Sequence, residues 1–238
     1  MTIYVPGKVT LKKESVAADP YYNNVSLLLH GDGTNGSTTI VDSSPSPKTV
    51  TAFGDAQIST AIADPFGNNT GVIAFDGGGD YLSVPDSTDW DVSGDYTIEF
   101  WANHGLSGVS YTKGYLGTNS ISGTSGFAIG HYVGDLFIRT ASSLVSSTGA
   151  PITSSVWNHI AIVWGSSTLK GYVNGTEVLS TTAYTTSTAV PLIIGNFNNL
   201  DADRYYNGYI DDLRITKGIA RYTANFTPPT APFPEVLG

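Results

Sequence analysis

The chain has 238 residues, 40% of them hydrophobic and 13% charged, with a formal net charge of -9 at pH 7. That apolar fraction can build one sizeable core, and the low charge fraction argues against an unfolded chain. The acidic balance excludes a basic nucleic-acid-binding face and disfavours an anionic membrane surface; the absence of cysteine excludes disulfides, thiolate catalysis and cysteine-based zinc sites.

Met1–Asn24 carries Lys8, Lys12 and Lys13, then Pro20-Tyr21-Tyr22-Asn23-Asn24. It reads as an arm before the folded domain or as a first strand and loop. The stretch Met1–Pro20 lacks the apolar core of a signal peptide, so the expectation is a protein made in a host cytoplasm without that route of export.

From Val25 short apolar runs alternate with turn residues. Val25–His30 reads as a buried strand stopped by Gly31-Asp32-Gly33. Val72–Phe75 stops at Asp76-Gly77-Gly78-Gly79-Asp80, and Tyr81–Val84 stops at Pro85. Glycines in such a turn supply the positive φ it needs. Tyr96–Ala102 alternates aromatic and polar residues, and Phe127–Gly130 and Leu136–Ile138 follow. Trp157–Trp164 is apolar on both faces, which predicts a central strand, and Trp101, Trp157 and Trp164 are expected in the core. Asn174-Gly175, between Leu169–Val173 and Thr176–Leu179, is a strong two-residue hairpin signal. Leu192–Gly195 and Tyr209–Thr216 complete the set. No stretch keeps a helical period. The pattern predicts an all-β, two-sheet antiparallel sandwich spanning 25–228, with a Pro-rich tail over 229–238.

In the closing strand, Tyr209, Asp211, Leu213 and Ile215 share one face at period two. A carboxylate on an apolar face must be paired, hydrogen-bonded or bound to a cation.

Eight motifs occur in order. They are Leu27-Leu28-Leu29-His30-Gly31-Asp32-Gly33, Asp42-Ser43-Ser44, Phe75–Leu82, Tyr96–Trp101, Trp157-Asn158-His159-Ile160-Ala161, Tyr172-Val173-Asn174-Gly175, Ile193-Ile194-Gly195 and Gly208-Tyr209-Ile210-Asp211-Asp212-Leu213-Arg214-Ile215. The ordered set resembles the laminin-G-like (LamG type 3) jelly roll of the concanavalin A-like lectin/glucanase superfamily, in the subtype found in bacteriophage tail-fibre and virion proteins. The resemblance implies two curved sheets and a binding module for glycans or proteins. It also implies a structural Ca2+ held by Asp32, a backbone carbonyl near Gly77 or Gly78, and Asp211. The alternative is that Asp32 makes an Asx turn and Asp211 accepts backbone N–H bonds.

Sugar sites combine aromatic faces with hydroxyl-binding amides and carboxylates. Asn196-Phe197-Asn198-Asn199-Leu200-Asp201-Ala202-Asp203-Arg204-Tyr205-Tyr206 holds both types. Asn196, Asn198, Asp201, Asp203 and Tyr205 are the candidate ligands there, with Tyr132 beside them and Tyr111, Tyr115 and His131 as further lining.

No catalytic residues are expected. Glu14, Glu99, Glu177 and Glu235 form no two-carboxylate glycosidase motif, and the four histidines lack zinc-site spacing. The sequence reading is a non-enzymatic virion protein, a capsid decoration, head-fibre or tail-fibre component. Its arm contacts other virion proteins, and its domain binds a host-surface glycan. A symmetric homo-oligomer is compatible with this, although no heptad specifies one. The alternatives are a bacterial carbohydrate-binding lectin module and a polysaccharide hydrolase or lyase with an unrecognised site.

Overall fold

The structure, a computed structural model, describes residues 18–105, 112–119, 125–141, 143–149, 151–182, 189–197 and 199–237. The strands are β1 (Val25–Leu29), β2 (Thr51–Phe53), β3 (Gln57–Ser59), β4 (Val72–Asp76), β5 (Tyr81–Val84), β6 (Tyr96–His104), β7 (Lys113–Gly117) and β8 (Ala128–Tyr132). They continue with β9 (Asp135–Arg139), β10 (Leu144–Ser146), β11 (Asn158–Gly165), β12 (Thr168–Val173), β13 (Thr176–Thr181), β14 (Leu192–Ile194) and β15 (Asn207–Lys217). Among the described residues the helical content is three short 3-10 turns. An eight-stranded sheet runs β13-β12-β11-β6-β15-β4-β3, with β1 also on β15, and a seven-stranded sheet runs β10-β9-β8-β7-β14-β5-β2. The all-β two-sheet architecture is the expected one.

Alternation builds the core. Ile98, Phe100 and Ala102 of β6, Ile160, Ile162 and Trp164 of β11, and Ile210, Leu213 and Ile215 of β15 face Leu82, Val84, Leu116, Ile129, Leu136, Ile138, Leu192 and Ile194 of the other sheet. Each such side chain contributes roughly 1.5–3 kcal/mol on burial. The Asn174-Gly175 hairpin forms as predicted, with φ of 50° and 76°. Two tryptophans depart from expectation. Trp164 is core, but Trp101 is half-buried on the outer face, edge-on to Phe66 and His159. Trp157 is also half-buried and donates through Nε1 to the carbonyl of Ala63.

The closing strand holds the main correction. Asp211 pairs with Trp101 and Arg214 with Glu99, so three steps on β15 match two on β6. Such a bulge reverses the side-chain phase beyond it. Asp212 takes the extra position at φ 47°. Leu213 and Ile215 therefore face the core, while Asp211 and Arg214 share the outer face with Glu99. Strict period two does not survive one inserted residue.

That outer face is covered by chain from both ends of the domain. Asp19 lies beside Leu237 in a parallel bridge, and Phe233 packs on Val25 and Leu28. Farther across, Tyr222 and Phe226 cover Ala161, Val163 and Tyr172. Thus residues 18–24, read from the sequence as the end of an arm, lie against the sandwich; the rest of that segment falls outside the described residues. Under this cover Arg214 donates to Glu99 Oε1 from Nε at 3.0 Å and from Nη2 at 2.7 Å, and from Nη1 to Asp19 at 3.0 Å. Arg221 donates twice to Asp19, and Tyr222 donates to Glu99 Oε2 at 2.7 Å. Burial opposes the Glu99 charge, but Arg214, His159 and Arg221 hold its pKa down at about 2. The charges balance in pairs, as burial requires.

Candidate functional site

The bulge places Asp211 against Gly31. Asp211 is 2% exposed, and its Oδ1 has no hydrogen-bond partner. A Cβ on Gly31 would stand 2.6 Å from that oxygen, so glycine is required for the close approach. Burial, reinforced by Asp212, Asp32 and Asp64, pushes the Asp211 pKa up to about 9. An orphaned carboxylate oxygen among other acids has the chemistry of a hard-cation ligand. Asp32, the other acid expected there, is exposed and next in the chain to Gly31. Gly78 cannot reach Asp211. Asn207 pairs with Asp76, and Asp211 lies four residues farther along β15, about 13 Å or more from the glycine turn. Asp64 accepts N–H bonds from Phe66, Asn68 and Thr70 and organises its own loop. On the other side of the bulge, Asp212 bonds His30 Nδ1 at 2.6 Å and the backbone N–H of Phe233 at 2.9 Å, fastening the C-terminal cover.

The loop after β14 folds over the outer face of the seven-stranded sheet. Phe197 is fully buried against Phe137, 5.7 Å between ring centroids, and lies where a Cβ on Gly114 would be 2.9 Å from its ring. Asn196 is fully buried: Oδ1 accepts the Phe197 N–H, and Nδ2 donates to the Asp201 carbonyl. It is a loop brace, not a free ligand as expected. Asn198 and Tyr111 lie outside the described residues. Asp201 caps the turn Ala202–Arg204 through the Asp203 N–H and stands 3.7 Å from Arg204 Nε. Asp203 is exposed, and Tyr205 is half-buried. Tyr132, in the β8–β9 hairpin, is 47% exposed. Tyr115 and His131, expected along the same groove, point into the core instead.

That core position creates an unusual pair. His104 Nδ1 and His131 Nε2 are 3.5 Å apart, with rings at 4.2 Å and Tyr115 and Tyr206 beside them. Burial lowers the His104 pKa to about 4; burial, then His104 and Lys113, lower that of His131 to about 3. The rings lie edge to face rather than converging on one point, so they are not arranged as metal ligands.

Sequence reasoning missed an outward aromatic pair, exposed Phe53 and half-buried Tyr81. Phe53 of β2 and Tyr81 of β5 stack at 4.6 Å and 5°, and Tyr205 follows at 6.4 Å and 32°. Tyr81 was legible, because Tyr81 and Ser83 alternate outward against inward Leu82 and Val84. Phe53 lies in a three-residue strand too short to show a period. Next to them Asp55, Asp76 and Asp80 bring carboxylate oxygens within 4.8 Å of one another. Asp80 accepts the N–H groups of Asp55 and Asp76, at 2.8 and 2.9 Å, so its carboxylate holds two chain crossovers together. This is the tight turn that the triple glycine predicted.

A family model described as Laminin_G_3, of the concanavalin A-like lectin/glucanases superfamily, matches residues 76–220. No curated protein sequence matches. Among solved structures, the chain is similar to domain 4 of AbnA, an extracellular arabinanase of Geobacillus stearothermophilus, in complex with arabinotriose. The TM-score is 0.56 at 20% identity, covering 83% of this chain and 95% of that one. It is also similar to the botulinum neurotoxin serotype D binding domain, with a TM-score of 0.58 at 16% identity, covering 83% and 49%. A type C neurotoxin structure, whose cell entry depends on two ganglioside molecules, gives a TM-score of 0.55 at 18% identity, covering 82% and 48%. The chain thus spans about half the length of the toxin chains it matches. The family match covers more than half of the chain and agrees with the two-sheet fold, and the protein belongs to the Laminin_G_3 family of concanavalin A-like jelly rolls.

Proposed function

We propose that the protein is a non-enzymatic bacteriophage virion component, a capsid decoration, head-fibre or tail-fibre part, that displays its jelly roll to bind surface glycans. The observation that carries the binding role is the outer face of the seven-stranded sheet. There Asp203 and the half-buried Tyr205 lie on a loop pinned by Phe197, and Tyr132 reaches solvent from the β8–β9 hairpin, so polar and aromatic groups are held in place before any ligand arrives. The arabinotriose complex of a similar domain, matched over nearly its whole length, supports the same reading.

The placement of acids supports the absence of catalysis. Glu99 is locked by Arg214 on the covered face, Glu177 pairs with Lys170 at 2.9 Å, and Asp80 is occupied by backbone donors. The virion assignment is supported by the order of sequence motifs, with residues 1–17 as the segment that contacts other virion proteins. A structural Ca2+, held by Asp211 and Asp32, would supply the charge that the orphaned Oδ1 lacks. The competing reading is a bacterial lectin module without a virion role.

Two measurements test the proposal. Antibody against the chain should label purified phage particles. The full chain should retain glycans on an array without releasing reducing ends from polysaccharide. Binding without particle association would favour the lectin module. Reducing-end release abolished by an acidic-residue substitution would establish an enzyme.

A further inference from the structure

The stacked aromatics stand where the sandwich turns its edge. Phe53 and Tyr81 are direct cross-strand partners on β2 and β5. Cross-strand stacking contributes about 0.5–1.5 kcal/mol and accounts for their contact with each other. It does not account for the outer side of Phe53. Among the described residues β2 is the last strand of its sheet and no strand lies beyond it, and Phe53 is 41% exposed. Tyr205 braces the inner end of the row from the pinned loop.

Two crossovers flank the row. One carries the chain from Phe53 through Asp55 to β3; the other carries it from Asp76 to Tyr81. Tied together by Asp80, they leave the Asp55 and Asp76 carboxylates exposed at the rim. Beyond the rim is an open cavity of about 320 Å³ lined by Gln57, Asn207 and Tyr209 as well as these acids. Among the described residues no basic side chain forms an ion pair with Asp55, Asp76 or Asp80.

We infer that the Phe53–Tyr81–Tyr205 row and its acidic rim form a subsite for an uncharged glycan. The apolar C–H face of a sugar ring lies on the open side of Phe53, and its hydroxyls donate to Asp55 and Asp76. This inference rests on the glycan-binding reading and adds to it a location and a ligand class. Uncompensated carboxylates repel sialic or uronic acids and accept hydroxyl donors. The short β2–β3 and β4–β5 crossovers hold ring and rim in fixed relation, so little order need be gained on binding.

The test uses the full chain, with arabinotriose, cellotetraose and lactose as neutral probes and sialyllactose and tetragalacturonate as anionic ones, in equilibrium binding at low salt. At least one neutral probe should bind and neither anionic one should. Phe53→Ala should weaken binding about tenfold or more, with melting unchanged within a few degrees, and Phe53→Tyr should retain it. Should Phe53→Ala melt early, Asp55→Asn carries the same test, since Asp55 is exposed. Neutral binding that survives both substitutions would overturn the subsite and leave glycan binding standing. Preference for anionic probes would overturn the ligand class. Failure of the wild type to bind any probe would overturn the glycan reading and the subsite with it.

Discussion

The buried His104–His131 pair makes the domain acid-labile in a calculable window. Both pKa values lie below the ordinary 6.5, at about 4 and about 3, because burial shuts the rings away from water, and at His131 His104 and Lys113 lower it further. The unfolded chain therefore binds protons that the folded chain refuses. The stability from this neutral pair is fully present above pH 6.5 and drains away as pH falls towards the folded values. At pH 5 each ring costs about 2 kcal/mol, and the two together about 4 kcal/mol. For a domain of this size the pair alone would lower the melting temperature by roughly 10 °C between pH 7 and pH 5. Glu99 does not contribute in that window, since its stabilisation is lost only as pH falls from 4.5 towards 2. Two groups pull the other way. At His30 burial disfavours the charge, but the bond to Asp212 more than offsets this and raises its pKa. Asp211, whose pKa burial pushes up to about 9, holds a proton in the folded chain but not in the unfolded one between pH 7 and pH 5, which returns about 3 kcal/mol as pH falls. The diagnostic is accordingly a difference. In near-ultraviolet circular dichroism melts at pH 7 and pH 5, the wild type should fare worse on acidification than His104→Phe/His131→Phe by roughly 10 °C, since His30 and Asp211 act equally in both. Equal losses would refute the reasoning.

Three further outcomes follow from the packing. A chain starting at Val25 should melt roughly 6–12 °C below one starting at Ala18, because losing Asp19 leaves Arg214 and Arg221 sharing one buried carboxylate, a cost of about 3 kcal/mol; equal melts would contradict that network. Chelator should lower the wild-type melting temperature, Ca2+ should restore it, and Asp211→Asn should respond to neither. A wild type indifferent to Ca2+ would dismiss the cation site. Gly130→Ala should cost about 1–3 kcal/mol in denaturant unfolding, because its Cβ would stand 2.6 Å from the Phe137 ring and against the Lys113 carbonyl; an unchanged midpoint would show that β8 can shift.

The fold was legible because strands and turns leave local marks. Apolar alternation in Tyr96–Ala102, the two apolar faces of Trp157–Trp164 and the Asn174-Gly175 hairpin each reappear in the structure. The site was legible only in part, because it depends on register. Reading Asp211 into the core face assumed unbroken pairing, and the bulge at Asp212 reversed it. Asn196 and His131 carry suitable chemistry, yet the inward course of the loop and of β8 occupies or buries them. Asp19 looked like part of an arm because its partners, Arg214 and Arg221, lie about 200 residues away. Phe53 and Tyr81 are separated by two crossovers and meet only across a strand pair. No local pattern encodes such meetings.

Crystals of the full chain soaked with a neutral oligosaccharide that it retains on an array would locate binding most directly. The predicted result is sugar density at the β2 edge, with one ring parallel to the open side of Phe53 and hydroxyls within hydrogen-bond distance of Asp55 or Asp76. Density seated instead on Tyr132, or on the covered face of the eight-stranded sheet, would contradict it.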